Sequence, residues 1–113
     1  MTYIAPAVPA GEKERLAELA AFNVLDTPPE EAFDSLARLA AFICGTPISL
    51  VSLIDAERQW FKARVGLNAA ETPRDISFCA HAIGDADQLF VVTDASKDER
   101  FRENPLPRAP DQP

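Results

Sequence analysis

The sequence predicts an α+β domain with helices packed on one side of an antiparallel sheet. Two observations carry this. Helical apolar periodicity fills the first third of the chain. Two short apolar runs, 48–55 and 59–66, then follow across a four-residue polar turn, which is the pattern of a hairpin. The length of 113 residues allows one domain and not two, and 47% hydrophobic residues is ordinary for a chain that folds.

Glu12 to Phe22 reads as the first helix. Leu16, Leu19 and Ala20 share a face with Val24 close by, and Glu12, Lys13, Glu14, Arg15 and Glu18 form the wet side. So short a stripe needs something to dock on. The second helix, about 28–44, has a stronger start. Thr27-Pro28-Pro29-Glu30 reads as a capping box, with Thr27 as N-cap, Pro28 at the first helical position and Glu30 reaching back. Phe33, Leu36, Ala40 and Ile43 form its expected core stripe, Leu39 and Cys44 flank it, and Gly45 and Pro47 stop it.

Ile48 to Asp55 is β-branched and nearly all apolar, so a strand covered on both faces is expected. Asp55-Ala56-Glu57-Arg58 turns the chain. Gln59 to Gly66 returns, with Lys62 and Arg64 expected on one face and Phe61, Ala63 and Val65 on the other. Residues 67–74 read as a polar loop. A short helix is expected at 77–83, capped by Asp75 or Ser77, then a third strand at Leu89 to Thr93. A last turn capped by Asp94 or Ser96 would run through Arg100 and Phe101.

Lys+Arg 11 against Asp+Glu 18 gives a net charge of −7. A general nucleic-acid or anionic-membrane binder needs a basic face, so both partners are excluded. No apolar run approaches the roughly 18–20 residues of a membrane span, and the first ten residues lack a basic start, so a cytoplasmic protein is expected. The ten prolines cluster at the ends: residues 1–11 read as an N-terminal tail and 107–113 as a proline-rich C-terminal one, around a domain at 12–106.

Cys79 and His81 are the first candidates for chemistry. At i, i+2 on a helix they point about 200° apart, and Cys44 is the other soft ligand, so a zinc site and metal in general are not expected. Cys79 near a helix N-terminus could be an activated thiolate, but a buried small hydrophobe is the favoured reading. His81 reads as a capping donor, a half-buried ring or a ligand contact. Trp60 and Phe61, adjacent on a strand, point to opposite faces: one belongs to the core and the other to a pocket floor or a helix. Arg74 and Asp75 read as a solvated loop pair. No catalytic residue is assigned: no nucleophile elbow, phosphate loop or close carboxylate dyad is present, and the four glycines are too far apart for a phosphate loop.

Taken in order, several segments resemble a bacterial GAF domain. They are Glu14-Arg15-Leu16, Val24-Leu25-Asp26-Thr27-Pro28-Pro29-Glu30, Phe33-Asp34, Ile48 to Asp55, Arg58-Gln59-Trp60-Phe61-Lys62, Val65-Gly66-Leu67, Thr72-Pro73-Arg74 and Ser77-Phe78-Cys79-Ala80-His81-Ala82-Ile83. The subgroup is the one at the N-termini of sensor histidine kinases, GGDEF diguanylate cyclases and related phosphodiesterases. The resemblance implies a sensor module of signal transduction that binds a small molecule and dimerises, without being an enzyme itself. It implies a pocket on the sheet face opposite the helices, covered by the segment from Arg74 to Arg100, with Trp60, Phe61, Arg74, Phe78, Cys79 and His81 as candidate lining. It leaves the ligand and any cofactor unspecified. Cys79-Ala80-His81 departs from the adjacent Cys-His pair of bilin-binding relatives. A homodimer contact is expected on the first helix at Leu16 and Leu19, with a kinase or cyclase effector in an intact parent.

The family continues after a segment like Asn104-Pro105-Leu106 into further strands and a long helix, so the resemblance implies a truncated domain with an open apolar edge at 48–55. Two rivals stand beside the sensor: a cysteine-dependent sulfoxide reductase of the same fold, with Cys79 as its nucleophile, and a remnant without function.

Overall fold

The computed structural model describes residues 5–85 and 87–103. The fold is α+β, as its sequence predicts. Helices α1 (Glu12–Phe22) and α2 (Glu31–Cys44) precede strands β1 (Ser49–Ile54), β2 (Arg58–Val65) and β3 (Glu71–Pro73), and a short helix α3 (Phe78–Ala82) follows. The three strands form one antiparallel sheet in the order β1-β2-β3. β3 lies in the stretch read as a polar loop. Its Thr72 is buried opposite Gln59 and accepts a hydrogen bond from the Gln59 amide at 3.0 Å, a long-range pairing that no local pattern announces. The strand expected at Leu89 to Thr93 does not form. That segment is irregular, and Leu89 and Val91 are exposed, because no neighbouring strand among the described residues offers it a ladder. The tail at 107–113 and residues 104–106 lie outside the described residues.

The β1–β2 register contains a bulge. Val51 pairs with Ala63 and the next residue, Ser52, pairs with Phe61, leaving Lys62 as the extra residue. Neighbours on β1 face opposite ways, so Ala63 and Phe61 do too, although they are two apart on β2. This corrects the expectation that Phe61, Ala63 and Val65 share a face and that Lys62 joins Arg64 on the wet one. Lys62 is buried on the α2 side. Its ammonium donates to Thr27 Oγ1 and the Pro28 carbonyl, both at 2.7 Å, pairs with Glu30 at 2.6 Å and lies 5.6 Å from the centre of the Phe33 ring. A buried ammonium requires all three donors met, and Lys62 takes the oxygens that the capping box would have used. α2 therefore starts at Glu31, with Glu30 as its flanking residue and no side-chain cap. Thr27 Oγ1 donates to the Val24 carbonyl instead. At the other end Gly45 does stop α2, at φ 64°.

α2 docks through Ala37, 2% exposed, with Phe33 half-buried beside it, and Ala63 on β2 is buried too. Small residues on both elements let the helix approach the sheet closely. Most of the expected core stripe is not the docking face: Leu36, Ala40 and Ile43 are exposed, as are the flanking Leu39 and Cys44, and of the stripe Phe33 alone is half-buried. Nor is β1 covered on both faces. Ile54 is buried, and Ser49 to Leu53 are only half-buried. Among the described residues β1 is an edge strand, and part of its C-terminal edge is closed by Arg15, whose guanidinium donates to the Ile54 carbonyl at 2.6 Å.

Candidate functional site

α3 lies on the sheet face opposite α2. Of the two caps expected, Asp75 and Ser77, it is Ser77 that serves: its hydroxyl, fully buried, accepts from the Ala80 N–H at 3.1 Å. Cys79 Sγ sits 3.8 Å from Ser52 Oγ, and Ser52 pairs with Phe61, so α3 rests on the Phe61 side of β1. From there Phe78 and Cys79 wall a cavity of about 440 Å³ together with Ala82, Leu89, Phe90 and Val92. That volume falls within the range of small-molecule sites.

An aromatic cluster backs this cavity. Phe101 is fully buried, stacks on Phe78 at 4.1 Å between ring centres, and meets His81 edge-on at 4.8 Å. The rings of His81 and Phe90 are parallel within 4°, 6.4 Å apart. The Arg100 guanidinium lies 4.9 Å from the centre of the Phe90 ring and 5.3 Å from that of Phe101. Asp98 holds it there at 2.8–2.9 Å, and those hydrogen bonds keep the Asp98 carboxyl down at about 2. What these groups offer a molecule is apolar ring surface and one guanidinium.

Of the six residues proposed from sequence, Phe78 and Cys79 line this cavity and His81 joins the ring cluster beside it, whereas Phe61 lines a different cavity together with Trp60. Trp60 pairs with Leu53 and faces the α2 side, where it lines a separate cavity with Asp34 and Arg38. Both Trp60 and Phe61 are buried. Arg74 is not in a solvated loop pair. It is buried and its Nη1 bonds to Glu12 and to the carbonyls of Asp55 and Ala56, while Nη2 has no hydrogen-bond partner among the described residues. Phe90, Arg100 and Phe101 are the members that sequence reasoning missed. They come from irregular chain, where no periodicity marks a face, and the stacking of Phe101 on Phe78 spans residues far apart in sequence.

The cysteine chemistry considered for Cys79 meets a poor environment. Burial pushes its thiol above the ordinary value, and the Ser52 hydroxyl offsets this only in part. A nucleophilic thiolate needs the opposite. Among the described residues no group of three or more His, Cys, Asp or Glu could hold a metal ion, and no helix is long and apolar enough to cross a membrane.

The segments that carried the resemblance meet in space as scaffold. Arg58 gathers Asp26 at 2.7–2.9 Å, Glu71 at 2.9 Å and Asp55 at 3.3 Å. Arg58 and Lys62 together bolt the loop at 24–30 to β2. Asp26 sits in left-handed backbone at φ 62°, and its carboxyl is held below the usual range by Arg58.

Fold and cavity define a class: a small α+β domain with an aromatic-walled cavity on one face of its sheet. No family model matches the chain. Over 100 residues it is 41% identical to a protein of Pseudomonas aeruginosa named cyclic di-GMP phosphodiesterase PA2567. The alignment covers 88% of this chain and 17% of that protein, so the chain spans about one-sixth of the relative's length. This similarity supports a regulatory role in signalling. It also points against the expectation that the chain is not an enzyme, because the relative is an enzyme by name, although the match covers only 17% of it.

Proposed function

We propose that this chain is a regulatory module of GAF type within cyclic di-GMP signalling, tied to a phosphodiesterase and taking a small molecule in the cavity beside α3. One observation carries the reading: a close match over most of this chain to a small part of an enzyme named for cyclic di-GMP hydrolysis. A segment that is one-sixth of such a protein has the size of a single domain. The ordered motifs that resemble a GAF domain support the finer statement, as does the position of the cavity on the sheet face opposite α2. The relative's name directs the output toward a phosphodiesterase in place of the kinase or cyclase that the sequence suggested.

A chimera tests this. The matching 100 residues of the Pseudomonas protein are replaced by this chain, and cyclic di-GMP hydrolysis is followed. The chimera is expected to hydrolyse it, and Phe90→Ala or Arg100→Ala is expected to change the rate several-fold, with the amount of folded protein unchanged. A parent whose hydrolysis is indifferent both to loss of the segment and to these substitutions would end the proposal.

A further inference from the structure

The cavity on the α2 side of the sheet has no part in the site beside α3. It holds about 540 Å³, within the range of small-molecule sites, and lies in the crevice between α2 and β2. Asp34 and Arg38 give it a charged wall from α2, and Trp60, Ala63 and Val65 an apolar one from β2. Asp34 and Arg38 stand four apart, so their Cβ atoms lie about 5–6 Å from each other, and an acid ahead of a base at that spacing ordinarily makes an ion pair. Here they do not pair. Arg38 turns its Nη2 to the Glu31 carboxylate and, at 3.2 Å, to the Ser35 hydroxyl. Ser35 in turn donates to Glu31 at 2.8 Å. The guanidinium is thus held with Nε and Nη1 lacking an acceptor among the described residues. Asp34 is half-buried, and its carboxylate has neither an ion pair nor a hydrogen bond among the described residues.

A carboxylate partly out of water without a donor, and a guanidinium with donors to spare, complement a molecule that carries both charges itself. We propose that this cavity binds a zwitterion, an α-amino acid with a large apolar side chain. Its ammonium donates to Asp34, its carboxylate accepts from Nε and Nη1 of Arg38, and its side chain lies along Trp60, Ala63 and Val65. Both charges of such a ligand are carried on the same carbon, so they bridge the gap that Asp34 and Arg38 leave open. The other charges of the lining agree with this. The Lys62 ammonium is taken up by Thr27, Pro28 and Glu30, and Arg64, which is exposed, adds positive charge that favours a carboxylate. A simple anion would face Asp34 and a simple amine would face the two arginines; a zwitterion offers each wall its opposite charge. The site lies across the sheet from α3 and does not depend on the cyclic di-GMP reading.

Trp60 is the single tryptophan of the chain, so its fluorescence reports on this cavity directly. The test titrates the full chain with L-phenylalanine and with L-leucine, following tryptophan emission and the heat of binding in parallel. Saturable binding is expected, with a dissociation constant on the order of 0.1 mM, ordinary for ligands of this size. 3-Phenylpropanoate, which lacks the ammonium, and phenethylamine, which lacks the carboxylate, should each bind at least tenfold more weakly than L-phenylalanine. Asp34→Asn and Arg38→Gln should each weaken L-phenylalanine at least tenfold while the circular dichroism spectrum stays that of the wild type. Lys97→Gln, at an exposed position outside the cavity, should leave binding within twofold. Should a variant lose its fold, the two analogues decide the matter on the wild-type chain. The proposal is overturned if neither amino acid binds by about 10 mM, a concentration far above the expected constant. It is equally overturned by an analogue that binds as well as L-phenylalanine, or by a folded Asp34→Asn variant of unchanged affinity.

Discussion

α1 and α2 are neighbours in sequence, similar in length and both amphipathic by pattern, yet they are held by opposite means. α2 lies on the sheet with Ala37 buried, and its preceding loop is bolted by Lys62 and Arg58. α1 buries no residue at all. It is fixed at its start by a polar clasp: Glu12 accepts from Arg15 at 2.9–3.0 Å and also from Arg74, and Arg15 reaches the Ile54 carbonyl. Further along, Leu19 and Phe22 overhang an apolar cavity of about 540 Å³ floored by Phe33, Val51 and Leu53. Docking through apolar contact is spread along a helix and indifferent to pH. A clasp of ion pairs is local, directional and titratable.

The largest effect expected from this contrast is at Ala37. Ala37→Asp places a carboxylate under the sheet with nothing to pair it, so several kcal/mol are lost and the cooperative fold with them. Ala17→Asp, on the exposed side of α1, should stay within about 0.5 kcal/mol by urea denaturation. Equal effects at the two positions would erase the distinction between the helices.

Next comes the seat of the sheet beside α2. Gly66 has φ 78°, and a Cβ there would stand 2.0 Å from the Pro47 carbonyl oxygen. Gly66→Ala should cost about 3 kcal/mol, read as a lower denaturation midpoint at unchanged slope.

Lys62 divides charge from packing. Lys62→Ala should cost about 2 kcal/mol, because Thr27, Pro28 and Glu30 lose their donor and a gap opens over Phe33. Lys62→Met fills the same space and should stay within about 1 kcal/mol of wild type, since exchanging a buried ion for an apolar chain of similar volume is often neutral. A methionine variant as unstable as the alanine one would mean that the ammonium itself is required.

The smallest effect is local and depends on pH. Hydrogen bonds from Arg15 and Arg74 hold Glu12 at about 2, against an ordinary value of 4.5. A depressed carboxyl stabilises the folded form fully above 4.5, and that contribution drains away as pH falls from 4.5 toward 2. Amide exchange in α1 is therefore expected to quicken over that window before α2 and the sheet respond. Glu12→Gln should remove the pH dependence of α1 while leaving that of α2 in place. Simultaneous loss of both helices would show that the clasp is not a separate unit.

Much of the fold was legible because it rests on local chemistry. Gly45 stops α2 since a left-handed residue costs glycine little, and Ser77 caps α3 since its hydroxyl reaches the third N–H of its own helix. Other expectations failed where a distant group competed. Thr27 and Glu30 had the right spacing to cap α2, but Lys62, 32 residues beyond Glu30, needed their oxygens more. The site was legible in part for the same reason. Phe78, Cys79 and His81 lie on one short helix and move as a unit, whereas Phe90, Arg100 and Phe101 arrive by irregular chain, and Trp60 and Arg74 were drawn to other surroundings.

The sequence by itself determined the α+β class, the two long helices, the β1–β2 hairpin, the stop of α2 at Gly45 and the cap of α3 at Ser77, because each depends on neighbours within a few residues. Only the tertiary structure decided which stripe of α2 faces the sheet, that β3 pairs with β2, that Lys62 is buried at a bulge and that Arg74 holds α1. Those outcomes depend on which distant groups meet. An extra residue in one strand reverses the facing of its neighbours, and a buried charge recruits whatever oxygens lie within reach.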